Sequence, residues 1–307
     1  MTTQDKWSQY WQQDGAGGEV FVGKDGSTNP HLARFWSNHL DQVLPGHRIV
    51  DIASGAGSVF RHLPASAGDM PEQHATDLSA EALKLLRERV PATEVAVASA
   101  IALPYSPQSF DLVVSQFGIE YAGVEAFTEA ARLLRPGGKL VAIVHIEDGY
   151  IDSKNKDLLK GAREIKRQEF IELAIKLTQA AYSDPDGQFS RAAAAFRPAE
   201  QNLASYVANN PGGIHTHLYQ GFRQLFQNQA NYHQGDIIGW LNAMQADVEL
   251  NITRLEAMRG AALNAGCVAR IAADLGQIGI AATFTPLTLP EHDRPIGWQL
   301  TGTTTGE

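Results

Sequence analysis

The chain has 307 residues, 44% hydrophobic and 19% charged, a globular composition with room for one large domain or one domain plus an insertion. A net charge of −9 excludes a general nucleic-acid or anionic-membrane surface, and no apolar run approaches the roughly 20 residues that span a bilayer. A single cysteine, Cys267, excludes an intrachain disulfide and a thiolate metal cluster, and the first residues carry neither a basic nor an apolar leader, so a cytoplasmic protein without membrane or nucleic-acid partners is expected.

The first 46 residues are polar but carry Trp7, Tyr10, Trp11, Phe21, Phe35 and Trp36, and helical spacing of apolar side chains predicts a helix over 30–44. These aromatics either pack the segment onto the body or fold it over a site, with Trp11 as a substrate contact. From Arg48, β-rich runs alternate with helices: strands are predicted at 48–52, 72–76, 94–98, 110–115 and 139–145, helices at 79–90 and 124–135. Pro136, Gly137 and Gly138 break the second helix with a turn that needs positive φ. Such alternation with nearly continuous apolar strands implies a parallel sheet covered on both faces. The rhythm changes near 150, where 152–182 reads as one or two amphipathic helices, and no convincing strand follows until about 250. It returns over 254–275, with strands at 281–289 and 296–303 whose connection is long enough for an antiparallel pairing. Three parts result: an N-terminal helical and aromatic cap, 1–46; a core, 47–150 with 252–307; and a helical insertion, 151–251.

The chemistry concentrates after the first strand. Asp51 ends it, and a loop of small residues with Gly55 and Gly57 leads toward an expected helix. Backbone bare of side chains lets a large ligand lie on the main chain, facing helix N–H groups. Asp77 ends the second strand 26 residues later, where a carboxylate accepts from both ribose hydroxyls of a nucleotide. Asp77 or Ser79 could instead cap the following helix.

With VDIASGAG, ATDLS, ASAIALPYSPQSFDLVVS and EAARLLRPGGKLVAIV in that order, the chain resembles class I S-adenosylmethionine-dependent methyltransferases of the small-molecule type, closely over 47–145 and in pattern over 254–303. The resemblance implies an α/β fold: a Rossmann-like, seven-stranded, mostly parallel sheet with helices on both faces, a reversed last hairpin, and here an α-helical insertion after strand five. It implies S-adenosylmethionine as cofactor and S-adenosylhomocysteine as product, bound across the carboxyl ends of strands one to four. Asp51, Ala53, Ser54, Gly55 and Gly57 fall at the methionine part, Asp77 at the ribose, and Leu78, Ser99, Ala100 and Ile101 at the adenine. Gln116 and Phe117 border the methionine end, Gln116 turning its carbonyl to the cofactor amino group. Ala53 stands in place of the usual first glycine. Ser99 replaces the usual aspartate at the adenine amino group and accepts more weakly.

His145, ending strand five, is the candidate base or substrate ligand, or else a histidine that merely caps the strand; a base is needed where the nucleophile arrives protonated. Glu120 and Tyr121 border the substrate, or alternatively start a helix and pack the core. His215 and His217 do not share a helix face, and no carboxylate triad accompanies them, so no metal is expected. Tyr219, Arg223, Tyr232 and His233 are substrate-contact candidates on an insertion read as a lid, or else ordinary packing and solvated surface. The expected reaction moves a methyl group to an oxygen, nitrogen or sulfur of a small metabolite by in-line displacement. The competing readings are a tRNA or protein methyltransferase and an inactive, cofactor-binding regulatory protein. A nicotinamide dehydrogenase is disfavoured because Phe60 stands near the position of its third glycine. Oligomeric state is left open, a homodimer among the options.

Overall fold

The computed structural model describes residues 7–8, 11, 28–63, 70–183 and 187–305. Tyr10 and Phe21 lie outside them. The chain divides into two compact units, one formed by Met1–Ile151 with Ala261–Glu307, the other by Asp152–Gly260.

The first unit is built on a seven-stranded sheet in the order β3-β2-β1-β4-β5-β7-β6. Its strands are β1 (Arg48–Ile52), β2 (Glu72–Asp77), β3 (Glu94–Val97), β4 (Phe110–Gln116), β5 (Leu134–Val144), β6 (Ile280–Leu287) and β7 (Gly297–Thr304). The first five are mutually parallel, and β7 runs antiparallel to both β5 and β6. This is the sheet with a reversed last hairpin expected from the sequence. Register matters for function: Asp51 pairs with Ala75 and Val114, and Gln116 with Ile143. Asp51, Asp77, Gln116 and His145 therefore leave the sheet on one edge, the carboxyl ends of the parallel strands, where open α/β sheets bind ligands.

Four helices belong to this unit among the described residues: α1 (Pro30–Leu40), α2 (Ala80–Arg89), α3 (Glu125–Arg132) and α9 (Ala265–Gln277). Asn29 caps α1, accepting from the His31 N–H at 2.9 Å, with Pro30 at the first helical position. Ser79 caps α2 through the Ala82 N–H, which leaves Asp77 to the site. The helix predicted over 30–44 stops at Leu40, because Leu44, counted as part of its apolar stripe, is 58% exposed. The helix predicted over 124–135 stops at Arg132. Leu134 already pairs with Phe110, a register shift before Leu112 absorbs Pro136, and Gly137 takes φ +79°. The core gathers Val50, Val113, Phe127, Leu140 and Leu300, each side chain contributing about 1.5–3 kcal/mol by leaving water.

The second unit is helical throughout its described residues, as the periodicity implies. Its elements are α4 (Tyr150–Arg167), α5 (Phe170–Ser183), α6 (Gln188–Asn209), α7 (Gly213–Gln227) and α8 (Gln234–Ala261). Helix α8 runs unbroken through 251, so the boundary drawn there from sequence falls inside a helix. It lays Ile237, Leu241, Met244, Val248, Ile252 and Leu255 along one stripe, at the three-and-four spacing of a buried face. Phe222 sets edge to face with Phe170 and Phe196 at 5.9 and 5.5 Å, and those two tilt on each other at 5.1 Å, in the same core.

Candidate active site

Asp51 is fully buried at the end of β1, and neither carboxylate oxygen has a partner. Burial, then the charge of Asp77, holds its pKa well above the usual carboxylate value. The chain next turns through Ala53 at φ +51°, Gly55 at +52° and Gly57 at +84°. Three left-handed residues so close together cannot start a helix. In place of the expected one, turns lead to a single 3₁₀ turn, Phe60–His62. The loop is pinned instead by side chains and by β2: Ser54 N–H donates to the Thr76 carbonyl at 3.0 Å, and Gly55 N–H to Asp77 Oδ2 at 2.9 Å. Asp77 Oδ1 accepts from Ser79 N–H at 2.8 Å. Burial raises the Asp77 pKa against the lowering effect of the Ser79, Gly55 and Leu78 N–H groups. Each carboxylate oxygen keeps a further lone pair for a ligand.

Close approaches explain the small residues. A Cβ on Gly55 would stand 2.7 Å from the Trp11 ring, and one on Gly57 would stand 2.9 Å from Leu86. One on Gly118 would stand 2.6 Å from the Ala53 carbonyl oxygen. The N-terminal aromatics thus lie on this site: Trp11 against Gly55, Trp7 edge-on to Tyr121 at 5.0 Å, and Ser8 Oγ 3.5 Å from Ser79 Oγ.

At the end of β4, Ser115 Oγ ties the strand to β1 by donating to the Ile52 carbonyl at 2.7 Å, and it accepts from Ile119 N–H at 3.1 Å. Gln116 Oε1 accepts from the indole N–H of buried Trp36, so the group left to face a ligand most freely is the amide NH₂, a donor. Phe117, at φ +51°, stacks obliquely on His145 with ring centroids 4.7 Å apart. Glu120 Oε1 accepts from the His145 backbone N–H at 2.9 Å and lies 2.6 Å from His145 Nδ1. Both side chains are buried, and Glu120 Oε2 and His145 Nε2 have no partner. Tyr121 sets its edge to His145 at 5.7 Å.

One edge therefore assembles Asp51, the 53–57 loop, Asp77, Gln116, Phe117, Glu120, Tyr121, His145 and Trp11. Ser99, which forms an isolated antiparallel bridge with Ala102, and Ile101, exposed, follow β3 on that side. Tyr219, Arg223, Tyr232 and His233 belong to the second unit: Tyr219 packs on its core, Arg223 is exposed, and the Tyr232 carbonyl accepts from the Tyr182 hydroxyl at 2.8 Å. His215 Nε2 meets the Asn210 carbonyl at 2.7 Å, its Nδ1 is buried without a partner, and its ring fills the space left by Gly161. The three described groups that do converge like metal ligands, Glu72, His74 and Glu94, lie at the opposite edge of the sheet. There Arg48 Nη2 sits 3.0 Å from Glu72 and 3.1 Å from His74 Nε2, already supplying positive charge. A concavity of about 480 Å³ along α2 and the edge strand β3 is lined by Leu83, Lys84, Arg87, Val95 and Val97, and none of the unpartnered polar atoms faces it. Sequence reasoning missed Trp36 and the pairing of Glu120 with His145. The signal for the second was two ionisable residues, each just past an apolar strand that the topology makes adjacent.

Residues 50–142 match the family model described as a methyltransferase domain. The ubiquinone/menaquinone biosynthesis C-methyltransferase UbiE of Cupriavidus taiwanensis is 32% identical over 107 residues, which cover 33% of this chain and 44% of that protein. The UbiE protein of Laribacter hongkongensis is 35% identical over the same shares. The chain thus spans less than half the length of these curated relatives. A solved S-adenosylmethionine-dependent methyltransferase of Mesorhizobium loti is 24% identical, with a TM-score of 0.31 over 40% of this chain and 56% of the other. Residues 50–142 are thus similar to the methyltransferase domain of these proteins.

Proposed function

We propose that this protein moves a methyl group from S-adenosylmethionine to a small metabolite by in-line displacement. The observation that carries the reading is the loop 53–57 pinned through Gly55 N–H to Asp77, beside an aspartate whose buried oxygens have no partner. Those residues fit the cofactor. Asp77, still able to accept, would take the ribose hydroxyls; the left-handed loop 53–57 would border the methionine part; Leu78, Ser99, Ala100 and Ile101 would border the adenine. Gln116, its oxygen engaged by Trp36, would donate its amide to the methionine carboxylate rather than receive the ammonium. Bound there, the cofactor supplies an electrophilic methyl group on a sulfonium. The protein's own work is to hold the acceptor in line, exclude water with Trp7, Trp11 and Phe117, and accept a proton at His145 where the acceptor carries one. Tyr121 lines the acceptor's side. The relatives are named as C-methyltransferases, so carbon joins oxygen, nitrogen and sulfur as the atom methylated. Among the described residues no helix is long and apolar enough to cross a membrane, in keeping with an acceptor met from water.

Calorimetry with S-adenosylmethionine, S-adenosylhomocysteine and NAD tests this. Micromolar binding of the first two alone is expected, weakened at least about tenfold (about 1.4 kcal/mol) in Asp77→Ala and Asp77→Asn. A folded wild-type protein that binds neither, or variants that bind as tightly as wild type, would overturn the reading.

A further inference from the structure

We infer that Glu120 fixes His145 as the proton acceptor of the reaction, and that the methyl acceptor is a weakly acidic hydroxyl on an unsaturated ring, a phenol or an enol. The inference rests on the methyltransferase reading and narrows it.

The hydrogen-bond pattern determines the tautomer. A backbone N–H can only donate, so Glu120 Oε1, 2.9 Å from the His145 N–H, is an acceptor there. The same oxygen lies 2.6 Å from His145 Nδ1, which must then be the protonated ring nitrogen. Nε2, the lone-pair nitrogen of that tautomer, is buried and without a partner. Glu120 Oε2 is buried without a partner as well. The pair is thus an imidazole base backed by a carboxylate, with the charge that would stabilise an imidazolium already in place. Glu120 acts through His145 and is a positioning residue.

The surroundings select the acceptor. Phe117 lies obliquely at 4.7 Å from the imidazole, Tyr121 edge-on at 5.7 Å, and Trp7 edge-on to Tyr121 at 5.0 Å, which gives flat apolar walls suited to a planar ring. A carboxylic acid is already ionised in water and needs no such base, an aliphatic alcohol is too weak an acid for an imidazole to deprotonate, and an aliphatic thiol or amine does not fill flat aromatic walls. A phenol or enol lies between. In the step, the O–H bond breaks and its proton goes to Nε2. The freed electron pair, on oxygen or on the conjugated ring carbon, forms the bond to the methyl carbon, and the methyl–sulfur bond pair returns to sulfur. S-adenosylhomocysteine and an imidazolium paired with Glu120 result.

Nitrogen-15 NMR of histidine-labelled full-length protein reads the tautomer without any ligand. Nδ1 protonated and Nε2 bare is expected in wild type, lost in Glu120→Leu and recovered in Glu120→Asp. A wild-type Nε2–H tautomer, or one unmoved in Glu120→Leu, overturns the positioning role. Transfer of labelled methyl from S-adenosylmethionine is then offered catechol, 1-naphthol, ethanolamine and 2-mercaptoethanol. Label in the hydroxyl-bearing rings is expected. His145→Ala should lower kcat by about 100-fold or more with KM little changed, and abolish the rise of kcat with pH. Transfer confined to the amine or thiol, or to none of the four, overturns the acceptor class. Failure to bind S-adenosylmethionine overturns the proposed function instead, and the tautomer is read independently of it.

Discussion

Gly118→Ala isolates the close approach between the loops that follow β1 and β4. Gly118 has φ −142°, outside the left-handed region, so the substitution adds no left-handed backbone strain. Its cost is steric. The new Cβ would stand 2.6 Å from the Ala53 carbonyl oxygen and 2.8 Å from Ala53 Cβ, distances that force one loop to move. Ala53 has little freedom to retreat, since it already sits at φ +51° and the next N–H is anchored to Thr76. Overpacking of this kind costs about 1–3 kcal/mol. The displaced atoms belong to the loop proposed to hold the cofactor. Gly137→Ala is the matched control: at φ +79° with nothing within 4 Å, it costs about 1–2 kcal/mol of left-handed backbone strain at the opposite edge of the sheet. Urea unfolding should show both variants destabilised by similar amounts. Calorimetry with S-adenosylhomocysteine should show only Gly118→Ala weakened, by about tenfold or more. Wild-type affinity in Gly118→Ala would refute the proposed place of the cofactor against Ala53.

Ala53→Gly should relieve left-handed strain of about 1–2 kcal/mol but loosen the unfolded chain by about 0.5–1 kcal/mol, leaving urea stability equal or slightly higher and affinity intact. Asp51→Asn should stabilise the ligand-free protein at neutral pH. A carboxyl whose folded pKa is raised favours the fold below its unfolded pKa, near 3.8, and loses that contribution as pH rises through the folded value, so the advantage of the variant should shrink as pH falls toward 4; an advantage independent of pH between 4 and 8 contradicts this. Arg132 clamps the loop before β4, donating to the Tyr105 and Leu103 carbonyls and to Glu129, which in turn accepts from Leu103 N–H at 2.8 Å. Arg132→Ala should cost about 1.5–3 kcal/mol in urea unfolding, and Arg132→Lys should recover little of it because a lysine cannot span three acceptors in one plane.

The sheet was legible because its central strands, β1, β4 and the second half of β5, are buried on both faces and so read as apolar runs between helical periods. Ends were less legible. Leu44 looked like helix until its exposure was known, and Leu134 looked like helix because pairing with Phe110 is not written locally. The helix expected after Gly57 failed for a reason half visible in the sequence: two glycines signal left-handed backbone, but Ala53 joining them is set by the approach of Gly118 from another strand. The site divides the same way. Asp51, Asp77 and the loop between them lie on consecutive strands, and spacing reveals them. Glu120 with His145, and Gln116 with Trp36, meet only because the topology folds distant segments onto one edge, and no periodicity carries that information.

The place of β7 between β5 and β6 has a consequence for the order in which the molecule can assemble. Strand β5 is made before the helical unit, whereas its antiparallel neighbour, residues 297–304, comes after it. Within the helical unit α5 packs on α6 and α6 on α7, contacts near in sequence of the kind that form quickly. A nascent chain can therefore carry a structured helical unit while one margin of β5 stays unpaired, an open apolar edge of the sort that recruits other strands. The interval between synthesis of residue 144 and residue 304 is when this protein would most need a chaperone.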